Sequence, residues 1–262
     1  MRVLLTNDDG IHAEGLQTLR RELLGVPDIE LVVIAPDGNR SAMARSITTQ
    51  RPLWVERVEF EDGTCGYATD GTPVDCVRLA ALGLVEGFEA EAVISGVNHG
   101  ANLGDDITYS GTVAAALEGV LLGLPAIAVS QQGQTGESDF TTTARFAARL
   151  VDRLDEVPLP QGTLLNVNSP AGDPVGVEVC QLGKRVYSDE LQLQIDEGAR
   201  RQYWIYGSEL AHSFVPGDRT DLEAVHAGRI AVTPLHFNLT DIAGMDALRR
   251  YDLARMLDPA VE

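Results

Sequence analysis

Two adjacent carboxylates, Asp8 and Asp9, end the opening run "RVLLTNDDG" (residues 2–10), just where a short apolar segment stops. Side by side they repel, and each raises the cost of ionising the other, so something nearby has to compensate them. Two further polar stretches offer the means. "PDGNRSAMARS" (36–46) carries Asn39, Arg40 and Ser41, and "SGVNHGANLGDDITYSGT" (95–112) carries Asn98, Asn102, a second Asp pair and a Ser-Gly-Thr ending. Asp8 and Asp9 with the oxygens of Ser41 and Asn98 make a hard, all-oxygen ligand set, which suits Mg²⁺, Mn²⁺ or Ca²⁺ and does not suit zinc. The hydroxyls of Ser110 and Thr112, beside the free amides of a helix beginning near Thr112, make a natural phosphate cradle. The chemistry this combination predicts is a divalent cation that offsets the carboxylate pair and bridges to a bound phosphate.

Each motif alone has a plainer reading. "DDG" after a strand is an ordinary turn signal, and "SGT" is an ordinary helix cap. His12 and His99 lie in these loops, where each reads equally as a substrate contact or a solvated loop histidine. His236 follows an apolar segment and reads first as a half-buried structural residue, while His212 and His226 have no constellation around them. The motifs gain weight only if the fold brings them together.

Up to about residue 170, nearly continuous apolar runs alternate with helical patterns. "RVLLT" (2–6), "ELVVIA" (30–35), "EAVIS" (91–95), "PAIAVS" (125–130) and "TLLNVN" (163–168) read as buried strands. Leu16, Leu19 and Leu23 mark one helix. Thr72, Pro73 and Asp75 mark the start of another, as cap, first-turn residue and acidic partner of the positive end. Val113, Ala116, Leu117, Val120 and Leu121 follow the spacing of a third helix. This order predicts an α/β fold, a Rossmann-like, mostly parallel sheet with helices on both faces. In such a sheet ligands sit beyond the carboxyl ends of the strands, which is where all three polar loops fall.

Past residue 170 the texture changes. "RVYSDELQLQI" and "RQYWIYG" flank "DEGAR" as a candidate hairpin, bearing Tyr187, Tyr203, Trp204 and Tyr206. "GRIAVTPLHF" (228–237) reads as a strand returning to the main body, followed by a C-terminal helix around Leu248. The expected division is a catalytic core over 1–170, a projecting β-rich arm over 171–227, and a return strand with tail helix over 228–262.

The 262 residues suffice for one large domain, and 44% hydrophobic with 23% charged residues is a globular composition. A formal net charge of −19, with Lys184 the only lysine, argues against gripping a nucleic-acid polymer. The N-terminus lacks the pattern of a signal peptide, and "GVLLGLPAIAV" (119–129) is too short to span a bilayer. Cys65, Cys76 and Cys180 show no Cys-x-x-Cys spacing and read as reduced thiols. The expectation is a soluble, cytoplasmic protein without a membrane partner.

"LLTNDDGIHAEGLQTL", "APDGNRSA", "YATDGTPVDCVRLA", "SGVNHGANLGDDITYSGTVAAALEG" and "AVTPLHFNLTD", in that order, resemble the SurE (survival protein E) family of metal-dependent 5′-nucleotidases. The resemblance runs through residues 1 to about 130 and returns near 220–241. It implies hydrolysis of nucleoside 5′-monophosphates, with 3′-monophosphates also in range, to nucleoside and phosphate. It implies one divalent ion per subunit, Mg²⁺ or Mn²⁺ with Ca²⁺ as a non-native occupant, held by Asp8, Asp9, Ser41 and Asn98. A C-terminal arm exchanged between the subunits of a homodimer or homotetramer is also implied. Family members commonly read "NRSGAS" where this chain reads "NRSAMARS". Ser41 is kept, but Ala42 and Met43 alter the turn after it.

On this reading Asp8 and Asp9 are the catalytic pair, with Asp8 as ligand, base or nucleophile. Ser110, Gly111 and Thr112 hold phosphoryl oxygens, Asn98 contributes beside them, and Asn102 with the Gly104–Asp105 turn shapes the loop. The cation acts as Lewis acid and orients a water nucleophile. Other classes fit less well. A receiver-type switch domain needs a lysine after its last core strand, and Lys184 lies outside the sheet pattern. A haloacid-dehalogenase-type phosphatase needs Asp-x-Asp, and Asn7 stands two residues before Asp9. A nonenzymatic nucleotide-binding module remains as the alternative function.

Overall fold

The computed structural model describes residues 1–133, 138–186, 190–205, 214–251 and 253–257. Tyr187, Tyr206 and His212 lie outside the described residues. The chain runs β1 (Arg2–Thr6), α1 (Glu14–Leu24), β2 (Glu30–Pro36), β3 (Val55–Glu59), β4 (Cys65–Thr69), α2 (Pro73–Ala81), β5 (Ala92–His99), α3 (Gly111–Leu121), β6 (Ala126–Gln131), α4 (Thr141–Asp152) and β7 (Thr163–Ser169). There follow β8 (Gly176–Val179), β9 (Lys184–Arg185), β10 (Gln192–Asp196), β11 (Arg201–Trp204), β12 (Phe214–Val215), α5 (Asp221–His226), β13 (Arg229–His236) and α6 (Ile242–Arg249).

Nine of these strands form one sheet in the order β3-β4-β2-β1-β5-β6-β7-β13-β8. From β4 through β7 every neighbouring pair is parallel, while β3 joins β4, and β13 joins β7, antiparallel. The expected α/β architecture is therefore present, with mixed edges added to its parallel centre. Strand β8 pairs parallel with β13, so part of the 171–227 segment is the outermost strand of the main sheet.

Alternation along the strands feeds two cores. Val3 and Leu5 of β1 pack into one cluster with Leu16, Leu19 and Leu23 of α1 and Ala144, Ala147, Ala148 and Val151 of α4. Leu4 points the other way, into a cluster with Cys76, Val77 and Ala80 of α2 and Val113, Ala115 and Ala116 of α3. Helix α2 begins as its sequence predicts: Thr72 and Asp75 form a reciprocal capping box, with Pro73 at the first helical position.

From β1 the chain turns one way across the sheet to β2 and β4, then returns to build β5, β6 and β7 on the other side. The order reverses between β1 and β5, and a crevice opens at such a switch point, beyond the strand ends. Asp8 lies in the turn that leaves β1, and Asn98 lies near the end of β5.

Candidate active site

Asn7 fixes the turn that presents the acid pair. Its side chain is wholly buried, donates to Gly10 O at 2.9 Å and accepts from Gly10 N–H at 3.2 Å. That local Asx-type closure ends β1 and leaves Asp8 and Asp9 on the outside of the turn.

Asp8 is buried against the start of α3. Its Oδ1 accepts from the Thr112 hydroxyl at 2.6 Å, a bond joining residues 104 apart in sequence. A Cβ on Gly111 would lie 2.8 Å from Asp8 Oδ2, so only glycine lets the helix come this close. Burial pushes the Asp8 carboxyl above its ordinary pKa, while the Thr112 hydroxyl and the backbone N–H groups of Thr112 and Gly111 pull it back toward the ionised form.

Asp9 sits nearer the surface. Its Oδ2 accepts from the His99 backbone N–H at 3.0 Å, and its Oδ1 accepts from Asn39 Nδ2 at 3.3 Å. Burial raises its pKa to about 6, helped by the Asp8 charge and opposed by the His99 N–H. Two neighbouring carboxyls, both costly to ionise, are the electrostatic signature expected of a site that receives a cation.

The second loop reaches the pair through Asn39. Its side-chain oxygen accepts from Ser41 N–H at 2.9 Å, so Ser41 joins Asp9 indirectly, on an exposed loop. The Arg40 N–H donates to Asp8 O at 2.6 Å and pins this loop over the acid turn.

Strand β5 runs four residues past its predicted end and carries Asn98 to the sheet edge. Asn98 is almost fully buried, and its Nδ2 donates to Gly100 O at 2.7 Å, which turns its carbonyl oxygen away from that contact. The rest of the third loop is stitched to the sheet. Asn102 O accepts from Asn166 Nδ2 (2.9 Å) and Asn168 Nδ2 (3.0 Å), and Asn102 Nδ2 donates to Ser130 Oγ at 2.7 Å.

Ser110 caps α3 by accepting from Val113 N–H at 3.1 Å, which leaves its hydroxyl proton free to donate. Thr112 is committed to Asp8, so the start of α3 supports that carboxylate directly. Gly104 faces elsewhere: its N–H donates to Asp221 at 2.8 Å, and a Cβ there would lie 2.6 Å from Gly183 O. Asp221, which sequence reasoning passed over, also accepts from Gly183 N–H at 2.7 Å and so joins the third loop to the chain after β8. The only trace it left in the sequence is the "RTDLE" cap before α5.

His99 reaches Ser138 Oγ at 3.2 Å with Nε2 and meets the Phe140 ring edge-on, whereas His12 and His236 are exposed. Among the described residues no group of three His, Cys, Asp or Glu side chains is placed to hold a metal. A cation here would draw on two carboxylates and neutral oxygens, a donor set that fits a hard divalent ion.

Comparison with known proteins places these loops in a family. The family model "Survival protein SurE" matches residues 3–189. The chain is 48% identical to the 5′-nucleotidase SurE of Rubrobacter xylanophilus, over 98% of this chain and 99% of that one. It is 46% identical to the 5′-nucleotidase SurE of Symbiobacterium thermophilum, over 96% and 98% of the respective chains. The crystal structure of the SurE protein from Aquifex aeolicus superimposes with a TM-score of 0.80 at 35% identity, covering 98% of this chain and all of that one. With β1 and β5 delivering Asp8, Asp9 and Asn98 to one end of the sheet, and with this likeness over nearly its whole length, the chain belongs to the SurE family.

Proposed function

We propose that this protein is a metal-dependent phosphomonoesterase that hydrolyses nucleoside 5′-monophosphates, with activity on 3′-monophosphates as well, to nucleoside and inorganic phosphate. The observation that carries the reading is the Thr112–Asp8 hydrogen bond of 2.6 Å, because it holds the acid pair against the start of α3. Carboxylates, hydroxyl and helix amides then face one crevice, as phosphoryl chemistry requires. The names of the relatives point to the same substrate class.

In this reading Asp8, Asp9, Ser41 and Asn98 hold one divalent ion, Mg²⁺ or Mn²⁺. When bound it supplies Lewis-acid neutralisation of charge on the phosphoryl oxygens. Asp8 is held by Thr112 and by the helix amides, so it is oriented as a fixed anionic ligand and not as a nucleophile. Water is then the attacking group: its oxygen forms a bond to phosphorus as it gives up a proton, the ester P–O bond breaks, and the departing nucleoside oxygen takes up one proton, so that nucleoside and hydrogen phosphate result. The Ser110 hydroxyl donates to a phosphoryl oxygen, beside the backbone of Gly111 at the positive end of α3. Gly104 acts on the phosphate site only by shaping the loop, since its amide is engaged by Asp221.

The hairpin β10–β11 is exposed along its whole length, with Leu193, Ile195, Tyr203 and Trp204 uncovered. An isolated two-stranded ribbon is marginal in water, and no residue of α6 is buried. Both features support assembly into a homodimer or homotetramer through the arm. The free thiols Cys65, Cys76 and Cys180 suit a cytoplasmic setting, and no described helix is long and apolar enough to cross a membrane.

The deciding experiment measures phosphate release from a panel of nucleoside 5′- and 3′-monophosphates, after exhaustive chelation and again after adding Mn²⁺ or Mg²⁺. Release that needs the cation is expected. Undiminished release from demetallated protein would remove the metal from the mechanism, and no release under any condition would leave a nucleotide-binding module.

A further inference from the structure

The loop that carries Ser41 is fastened to the two helices beside it at several points. Ala44 N–H donates to Tyr109 O at 3.0 Å, in the turn before α3. The Thr72 hydroxyl donates to Ser46 O at 2.8 Å, and Thr48 donates to the Asp75 carboxylate through its N–H (3.0 Å) and its hydroxyl (2.7 Å). Between these points Arg45 reaches inward to Glu118 of α3, at 2.6 Å.

Glu118 is 0% exposed, an unusual position for a carboxylate on a helix otherwise packed with alanine and valine. A charge buried this deeply needs partners of opposite sign, and it has two: Arg45 on Oε2 and Arg78 of α2 on Oε1, each at 2.6 Å. Arg78 stands on a helix and Arg45 on a loop. The pair with Arg78 joins two helices already packed together, whereas the pair with Arg45 ties the loop to α3.

Two features adjoin this tie. Between Ser41 and Arg45 the chain passes through Ala42 at φ 59° and Ala44 at φ 51°, a backbone region that residues with a Cβ adopt at a cost. Such a path persists only if both ends are held. The outer face of the Arg45 guanidinium is covered by the Phe237 ring, 4.7 Å from carbon to centroid. Phe237 is the first residue past β13, where the chain leaves the sheet for α6 and the tail.

We infer that Arg45 is a positioning residue: clamped between Glu118 and Phe237, it holds the Ser41 loop against α3 and so sets how tightly the acid-pair site binds its cation. Through Phe237 this setting depends on the C-terminal segment. The inference rests on the proposed metal-dependent function, because Ser41 matters here as a ligand.

The test compares full-length wild type, Arg45→Met, Arg45→Lys and Phe237→Leu. Mn²⁺ binding is measured by calorimetry and by the metal-induced rise in melting temperature, next to the melting temperature without metal. Arg45→Met is expected to weaken Mn²⁺ binding by up to about tenfold, the low end of what losing a direct hydrogen-bond partner of a metal ligand costs, because Arg45 acts on Ser41 through the loop. Arg45→Lys should recover part of the loss, since it keeps the charge on Glu118 but not the planar contact with Phe237. Phe237→Leu, a change at a partly exposed position that the fold tolerates, should weaken binding in the same direction by a smaller factor. A lowered metal-free melting temperature with unchanged Mn²⁺ affinity in both Arg45→Met and Phe237→Leu would make the cluster merely structural and overturn the inference. If Arg45→Met does not fold, Phe237→Leu alone decides. Wild type that binds no Mn²⁺ would overturn the metal-dependent function and this inference with it.

Discussion

Replacing Asp9 with Asn tests the electrostatics of the acid turn in both its states. In the metal-free protein the Asp9 pKa is raised from 3.8 to about 6. The native state therefore keeps a proton that the unfolded chain has already released, and stability falls as pH rises from about 4 through about 6. A shift of about two units is at most about 3 kcal/mol at 1.36 kcal/mol per unit, and partial exposure of Asp9 reduces that to about 1–2 kcal/mol. At about 2–4 °C per kcal/mol for a domain of this size, metal-free Asp9→Asn should melt roughly 2–8 °C above wild type at pH 7.5. The advantage should shrink as pH falls from about 6 and vanish only below about 4, where Asp9 is protonated in both states.

With Mn²⁺ present the order reverses, because the variant has lost a charged ligand. Its metal-induced gain in melting temperature should shrink, as linkage requires, and turnover should fall by at least about a hundredfold. Wild-type Mn²⁺ affinity should drop about tenfold per pH unit below about 6, as one proton competes for the site, and this slope should be shallower in Asp9→Asn. Scanning fluorimetry across pH, with and without metal, reads all of these. A variant that melts lower than wild type without metal at pH 7.5, or that keeps its turnover, would mean that the acid pair is a structural turn.

Two more outcomes follow from the surface. Deleting the β10–β11 hairpin, which contributes no buried residue to the core, should leave a folded protein of lower native mass by light scattering, and an unchanged mass would place the interface elsewhere. With a net charge of −19 the molecule repels an anionic substrate at long range, so moderate salt should lower the Michaelis constant for a nucleoside monophosphate, screening over a Debye length of about 10 Å at 0.1 M. A Michaelis constant that climbs steadily with salt would show that local positive charge dominates the encounter.

What the sequence determined by itself was whatever rests on local pattern. The five central strands are continuous apolar runs, and Thr72, Pro73 and Asp75 announce α2 because capping involves only neighbours in the chain. Asp8, Asp9 and Asn98 could be singled out because they stand at the ends of apolar strands, and Ser110 because it stands at the start of a helix, all in polar loops expected on one side of the sheet. The start of helix α4 is not announced as that of α2 is, because no side chain caps it. Strands β3 and β8, at the two edges of the sheet, were passed over because a half-exposed strand lacks a continuous apolar run. The tertiary structure alone decided which polar groups meet. The Thr112 hydroxyl meets Asp8, the Gly104 amide meets Asp221, and Asn166 and Asn168 fasten Asn102. Glu118, one acidic residue among many in the sequence, became a buried hub for Arg45 and Arg78. Burial and pairing link residues tens of positions apart, and the cost of leaving a buried charge or amide unpaired is settled only when the sheet has brought its loops together.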